Sequence, residues 1–183
     1  MRVKDLQYDE LDAEQKAIYD EIVAGPRGKV HGPFKVWLHR AKLLDRGQAL
    51  GLYCRYNSGL DRRLSELAIL VISAFWKVGN EWTDHYQNAV DEGVDPDALE
   101  ALRTGGTPAF TRPDEQILYD FAAELHRDNE VSDTTYARAE EVLGKDLIID
   151  MIAVFGYYVL IGMTIKTFRV PNVPGASDPF ADV

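Results

Sequence analysis

The order of apolar and polar positions along the chain reads almost entirely as helix. From Leu67 to Trp76 every residue except Ser73 is apolar, which is too continuous for a helix with one wet face and predicts a buried core helix. A second apolar run, from Met151 to Ile165, lies between Asp150 and Lys166. Its 15 residues fall short of the roughly 20 that a membrane-spanning helix needs, so a second core helix is expected, with no membrane partner.

Caps and breakers divide the rest. Asp12 can cap a helix over Ala13 to Val23, closed by Gly25-Pro26, and Pro33 can open a short turn carrying Phe34 and Trp37. A helix is expected from about Lys42 to Tyr56, and Ser58-Gly59-Leu60-Asp61 fits a capping box that starts the core helix. Asn80 is the expected N-cap of the next helix, which stops at Gly93; Asp95-Pro96-Asp97 starts a short one ending at Gly105-Gly106. Helices are then expected over Glu115 to Asp128, after Ser132, and after Gly144. No segment shows the alternation of a strand. The pattern predicts an all-α protein, a compact helical bundle in one domain over residues 1–170, with a Pro-rich tail over 171–183 that is disordered or laid over a neighbour. A shift of 84 residues places Glu66 on Asp150, each acid leading an apolar helix, and suggests two helical half-repeats.

Composition narrows the classes. A length of 183 residues suits a single domain with a substantial core. Twenty Lys+Arg against 30 Asp+Glu give a net charge of −10, which opposes a phosphate backbone, so no nucleic-acid partner is expected. Cys54 is the single cysteine; it allows no intramolecular disulfide, no CxxC centre and no cysteine-cage zinc site, and it reads as a small core residue. The first residues carry no apolar signal segment, so a cytoplasmic location is the expectation.

Candidate chemistry concentrates around the core helix. Glu66 lies just before the apolar run, and Glu81 and His85 stand one helical turn apart after it. His85 exchanges a proton near neutral pH, and a carboxylate one turn away raises its pKa. Each residue also has a plain structural role open to it. Glu66 can form a surface ion pair with Arg62 or Arg63, Glu81 can complement a helix N-terminus, and His85 can be a satisfied core histidine. Trp37, His39 and Trp82 are candidate substrate contacts; Tyr53, Tyr56, Trp76, Tyr86, Tyr157 and Tyr158 either line a pocket or fill the core. His31 and His126 have no partner pattern and are expected to be exposed. Glu81 and His85 could supply two metal ligands, with His39 or Glu66 as a third, but no HExxH or paired-histidine spacing is present, and no metal is expected.

In this order, Glu66, the apolar helix, and the EWxxH of Glu81 to His85 resemble the carboxymuconolactone decarboxylase-like family of the alkylhydroperoxidase D-like superfamily. Gly32-Pro33-Phe34-Lys35-Val36-Trp37-Leu38-His39 and the apolar helix carrying Gly156-Tyr157-Tyr158 add to the likeness, which covers about Leu11 to Pro171. In the peroxidase branch a Glu precedes a His by 19 residues and a CxxC ends four residues before that His. Here His85 follows Glu66 by 19, but the two cysteine positions hold Val78 and Glu81.

The resemblance implies an alkylhydroperoxidase D-like bundle that assembles as a homo-oligomer, a trimer or hexamer, with the tail from Val170 to Val183 on a neighbouring subunit. It also implies a cofactor-free lyase acting on a small carboxylated lactone or related acid, with Glu66, Glu81 and His85 as the acid/base group. His85, oriented by Glu81, would reprotonate carbon, and Glu66 would complete the relay or position a water. A non-catalytic binding member of the fold is the alternative. A thiol peroxidase is disfavoured, because its chemistry needs an attacking and a resolving thiol.

Overall fold

The structure is a computed structural model describing residues 1–172 and 175–183; Pro174 of the expected tail lies outside the described residues. The described residues form α1 (Ala13–Ala24), α2 (Pro33–Trp37), α3 (Ala41–Leu52), α4 (Arg62–Phe75), α5 (Gly79–Asp91), α6 (Pro96–Arg103), α7 (Pro113–Asp128), α8 (Asp133–Leu143) and α9 (Lys145–Phe168), with no strand among them. The all-α reading therefore holds.

Most starts follow the local chemistry. Asp12, Asp95 and Ser132 cap α1, α6 and α8 by accepting backbone N–H groups, which satisfies donors that a helix start leaves free. Two caps differ from expectation. Asp61 alone caps α4, accepting from the Leu64 N–H at 2.8 Å, while the Ser58 hydroxyl donates to the Cys54 carbonyl instead. At α5 the cap position is Val78, and Asn80 sits inside the first turn with its side-chain amide donating to the Pro171 carbonyl at 2.6 Å. The long helix expected up to Tyr56 ends at Leu52, and a π-turn over Tyr53–Asn57 finishes it.

Helix α4 is the hub of the bundle. Every residue from Arg63 to Ser73 is buried, and each fully buried Leu or Ile there contributes about 1.5–3 kcal/mol. It packs against α5, α7 and α9, while α2 packs on α3 and α9, and α3 on α1 and the π-turn. Arg63 ties the start of α4 to α7 through Asp114 at 2.5 Å and Glu115 at 2.6 Å. The ion pair expected between Glu66 and its neighbouring arginines is absent because those arginines pair elsewhere: Arg62 faces Glu92.

The 15-residue apolar run is embedded in a 24-residue helix, α9, so length alone does not separate it from a membrane span. Within the domain, 56% of its most apolar stretch is buried, as in a core helix. Asp150 does not repeat the surroundings of Glu66; it accepts from the Tyr53 hydroxyl at 2.5 Å and from the Gly59 N–H at 2.7 Å, closing the π-turn onto α9.

The described tail makes contacts with its own chain. Phe180 is buried edge-on against Trp82 at 5.4 Å, Asp182 pairs with Arg103 at 2.8 Å, and Asp178 and Pro179 cover the backbone at Gly79. Phe180 is buried in the core and Phe168 is partly buried against it. Trp82 meets Phe180 because it projects from α5 where the tail passes.

Candidate active site

Glu66, Glu81 and His85 converge. Helix α4 holds Glu66 in its buried face, and the Trp76–Val78 turn reverses the chain so that α5 runs back along α4 and brings His85 opposite. Lys77 takes a left-handed conformation in that turn, with φ 49°. His85 Nδ1 donates to Glu66 Oε2 at 2.5 Å, and both residues are almost fully buried, with 2% and 4% of their surfaces exposed. Its other nitrogen, Nε2, lies 3.6 Å from Glu81 Oε2. Burial on its own would lower the histidine's pKa. The hydrogen bond to Glu66 and the charge of Glu81 outweigh burial and hold the pKa above the ordinary value.

The geometry assigns the two acids unlike positions. Glu66 stands behind the ring, while Glu81, with His85, faces a chamber of about 40 Å³. Because Glu66 accepts the Nδ1 proton, Nε2 is left to give or take a proton on the chamber side. The chamber is also lined by Arg27, His31, Phe34, Arg55, Tyr157 and Tyr158, and Tyr158 meets the His85 ring edge-on at 5.7 Å. At roughly 10–15 Å³ per water its volume holds a few waters or one small polar group. His31, Pro33, Glu81 and Asp84 also line an adjoining groove of about 540 Å³.

Trp37, His39 and Trp82 do not line the chamber. The Trp37 indole N–H donates to Thr164 Oγ1 at 3.0 Å, and its ring, pressed on Gly47, lies one layer behind Tyr157. His39 is exposed and donates from Nε2 to the Lys4 carbonyl at 2.8 Å. Trp82 is covered by Tyr86 and Phe180. In each case the neighbouring element, and not the local sequence, decides which way the ring faces. Conversely, His31 is half-buried on the chamber wall, and burial together with Lys29 lowers its pKa. His126 is also half-buried, its Nδ1 donating to the Ala122 carbonyl at 2.8 Å.

Arg27 and Arg55 carry no sequence signal that separates them from surface arginines. They reach the chamber from the loop after α1 and from the π-turn. A weak cue is Gly51: a Cβ there would collide with the Tyr157 hydroxyl and with Arg27 Nη2, so the glycine gives both groups their space. Arg27 Nε and Nη2, His31 Nδ1 and the Tyr157 hydroxyl are buried and make no well-formed hydrogen bond within the protein. Each such group costs about 1–3 kcal/mol if left unmatched. Among the described residues no cluster of three or more His, Cys, Asp or Glu has the geometry of a metal site. Cys54 is buried and does not line the chamber, and burial pushes its thiol up to about 11.

No protein-family model matches the sequence, and no curated protein matches it significantly. Solved structures do match in fold. A peroxidase-related protein from Silicibacter sp. superposes with a TM-score of 0.73 at 18% identity, over 93% of this chain and 91% of that one. An alkylhydroperoxidase AhpD core, a peroxidase-related protein from Ralstonia eutropha, gives 0.70 at 16% identity over 98% and 94%. A protein of unknown function from Agrobacterium tumefaciens, for which an AhpD-type antioxidant defence role has been suggested, gives 0.65 at 15% over 75% and 95%. The chain has the alkylhydroperoxidase D-like fold. At these identities the likeness is one of architecture, and function rests on the site.

Proposed function

We propose that the chain is a cofactor-free lyase of the decarboxylase-like kind, acting on a small carboxylated lactone or a related unsaturated acid. The observation that supports it is a buried histidine whose far nitrogen is fixed by one acid, Glu66, while its near nitrogen faces a chamber beside a second, Glu81. In the reaction the bond from ring carbon to carboxylate breaks and CO2 leaves. The electron pair spreads onto the conjugated carbonyl, and the His85 imidazolium gives its Nε2 proton to carbon. The neutral imidazole then regains a proton from water. General acid help of this kind is worth about 10²–10⁴-fold, and the substrate supplies its own electron sink.

The similar structures described as peroxidase-related or antioxidant favour a second reading, thiol peroxidase. That reaction needs two thiols, and the chain has one, buried and held in its neutral form at ordinary pH. The test is turnover of a panel of unsaturated lactone acids, followed as CO2 release and loss of ultraviolet absorbance. Turnover abolished by His85→Gln is expected. Full turnover in His85→Gln overturns the mechanism, and binding without any turnover makes the chain a non-catalytic member of the fold.

A further inference from the structure

Four polar atoms around the chamber make no well-formed hydrogen bond within the protein, although Arg27 stands against Tyr157 and Lys29 beside His31: they are Arg27 Nε and Nη2, His31 Nδ1 and the Tyr157 hydroxyl. They are not scattered. Tyr157 and Arg27 crowd the same point beside Gly51, and all three residues line the chamber that holds Glu81 and His85. Nε and Nη2 form the side edge of the guanidinium, two parallel N–H donors at the spacing of a carboxylate's two oxygens. The Phe34 ring packs against the guanidinium, 4.8 Å from its central carbon. Burial keeps the Tyr157 phenol protonated, so its hydroxyl is a further donor, and Arg55 adds a second positive charge to the lining.

We propose that Arg27, with Tyr157 and Arg55, is an anchoring subsite for the carboxylate of a small acid. The inference rests on the acid/base chamber and names the group by which its substrate is held. An oxyanion suits Arg27 Nε and Nη2 and the Tyr157 hydroxyl because these are N–H and O–H donors, and Arg27 and Arg55 set two positive charges in the lining against Glu81 and Asp84. The chamber accommodates a carboxylate, and the groove that shares His31, Pro33 and Glu81 accommodates the body attached to it. For the lyase reaction, the anchored group is a second carboxylate of the substrate, distinct from the one that leaves as CO2. A guanidinium on the departing carboxylate would stabilise the charge that the reaction must remove. The net charge of −10 opposes anions over the molecule as a whole, so a bound carboxylate must be held locally.

The experiment is titration calorimetry of the full chain with acetate and 2-furoate, each against its neutral isostere, acetamide and 2-furamide. The acids are expected to bind at least tenfold more tightly than the amides. Arg27→Gln should lower that affinity tenfold or more and Tyr157→Phe severalfold. Arg46→Gln, a change at an exposed arginine, should leave it unchanged. Thermal melts establish that each variant is folded, and if Arg27→Gln does not fold, Tyr157→Phe and Arg27→Lys, which keeps the charge and loses the fork, carry the test. Equal binding of acid and amide, absence of acid binding, or undiminished affinity in folded Arg27 and Tyr157 variants overturns the proposal. His85→Gln separates the two readings. Carboxylate affinity retained there without any His85-dependent turnover upholds the anchor and removes the lyase, whereas His85-dependent turnover with no Arg27-dependent binding removes the anchor alone.

Discussion

Glu66 and His85, 19 residues apart in sequence, meet through a 2.5 Å hydrogen bond between two side chains almost sealed from solvent. Neither could be buried alone without a large desolvation penalty, so the pair is a unit: the acid makes the imidazole tolerable in the core and fixes which nitrogen faces the chamber.

That division of roles predicts a kinetic split. His85→Gln should lower kcat for a lactone acid by two or more orders of magnitude with binding nearly intact, because the transferred proton matters only in the transition state. Glu81→Gln should instead shift the pH–rate profile to lower pH, since its negative charge favours the imidazolium. Steady-state kinetics between pH 5 and 9 separate the two, and an unshifted profile in Glu81→Gln would show that Glu81 does not act on His85.

The raised pKa of His85 also fixes the sign of a stability effect. An unfolded histidine titrates near about 6.5, and in the fold the value is higher, so the stabilisation is complete below about 6.5 and fades as pH rises through the folded value. Urea melts of wild type and His85→Gln should therefore differ most at the acidic end and converge as the solution becomes alkaline. A gap that widens with pH would contradict the raised value.

Cys54 should behave as an inert core residue. With the thiol pushed up to about 11 by burial, little thiolate exists at pH 8, and alkylation by iodoacetamide should be slow in the folded protein and fast in urea. Cys54→Ala should keep full turnover; loss of activity there would revive thiol chemistry.

The arginine at the start of α4 carries a stability prediction remote from the chamber. Arg63→Met leaves Glu115, itself buried, without its partner at 2.6 Å, and removing one member of a buried pair costs about 3–5 kcal/mol. Denaturant unfolding should show a loss of that order with the affinity for acetate unchanged.

Local pattern was enough to place most of the helices and to pair Glu81 with His85. The apolar runs place α4 and much of α9 in the core, while Ile149, Ile152, Leu160 and Met163 of α9 face outward. Asp12, Asp95 and Ser132 signal their helix starts by local hydrogen bonding. Glu81 and His85 share a helix face through a single turn, which spacing alone reveals. What lay beyond the sequence depends on contacts between elements. Whether Ser58 or Asp61 caps α4 is decided by where the π-turn carries the Cys54 carbonyl. Trp82 turns toward the tail because Phe180 arrives there, and so it leaves the chamber where a ligand contact was expected. Arg27 and His31 share the loop before α2, while Arg55 lies in the π-turn and Tyr157 in α9, and no spacing along the chain relates these three segments. Helix periodicity is a local property, written every three to four residues. A cavity is the space left where distant surfaces fail to touch, and only the packed chain decides which polar atoms face it unpaired.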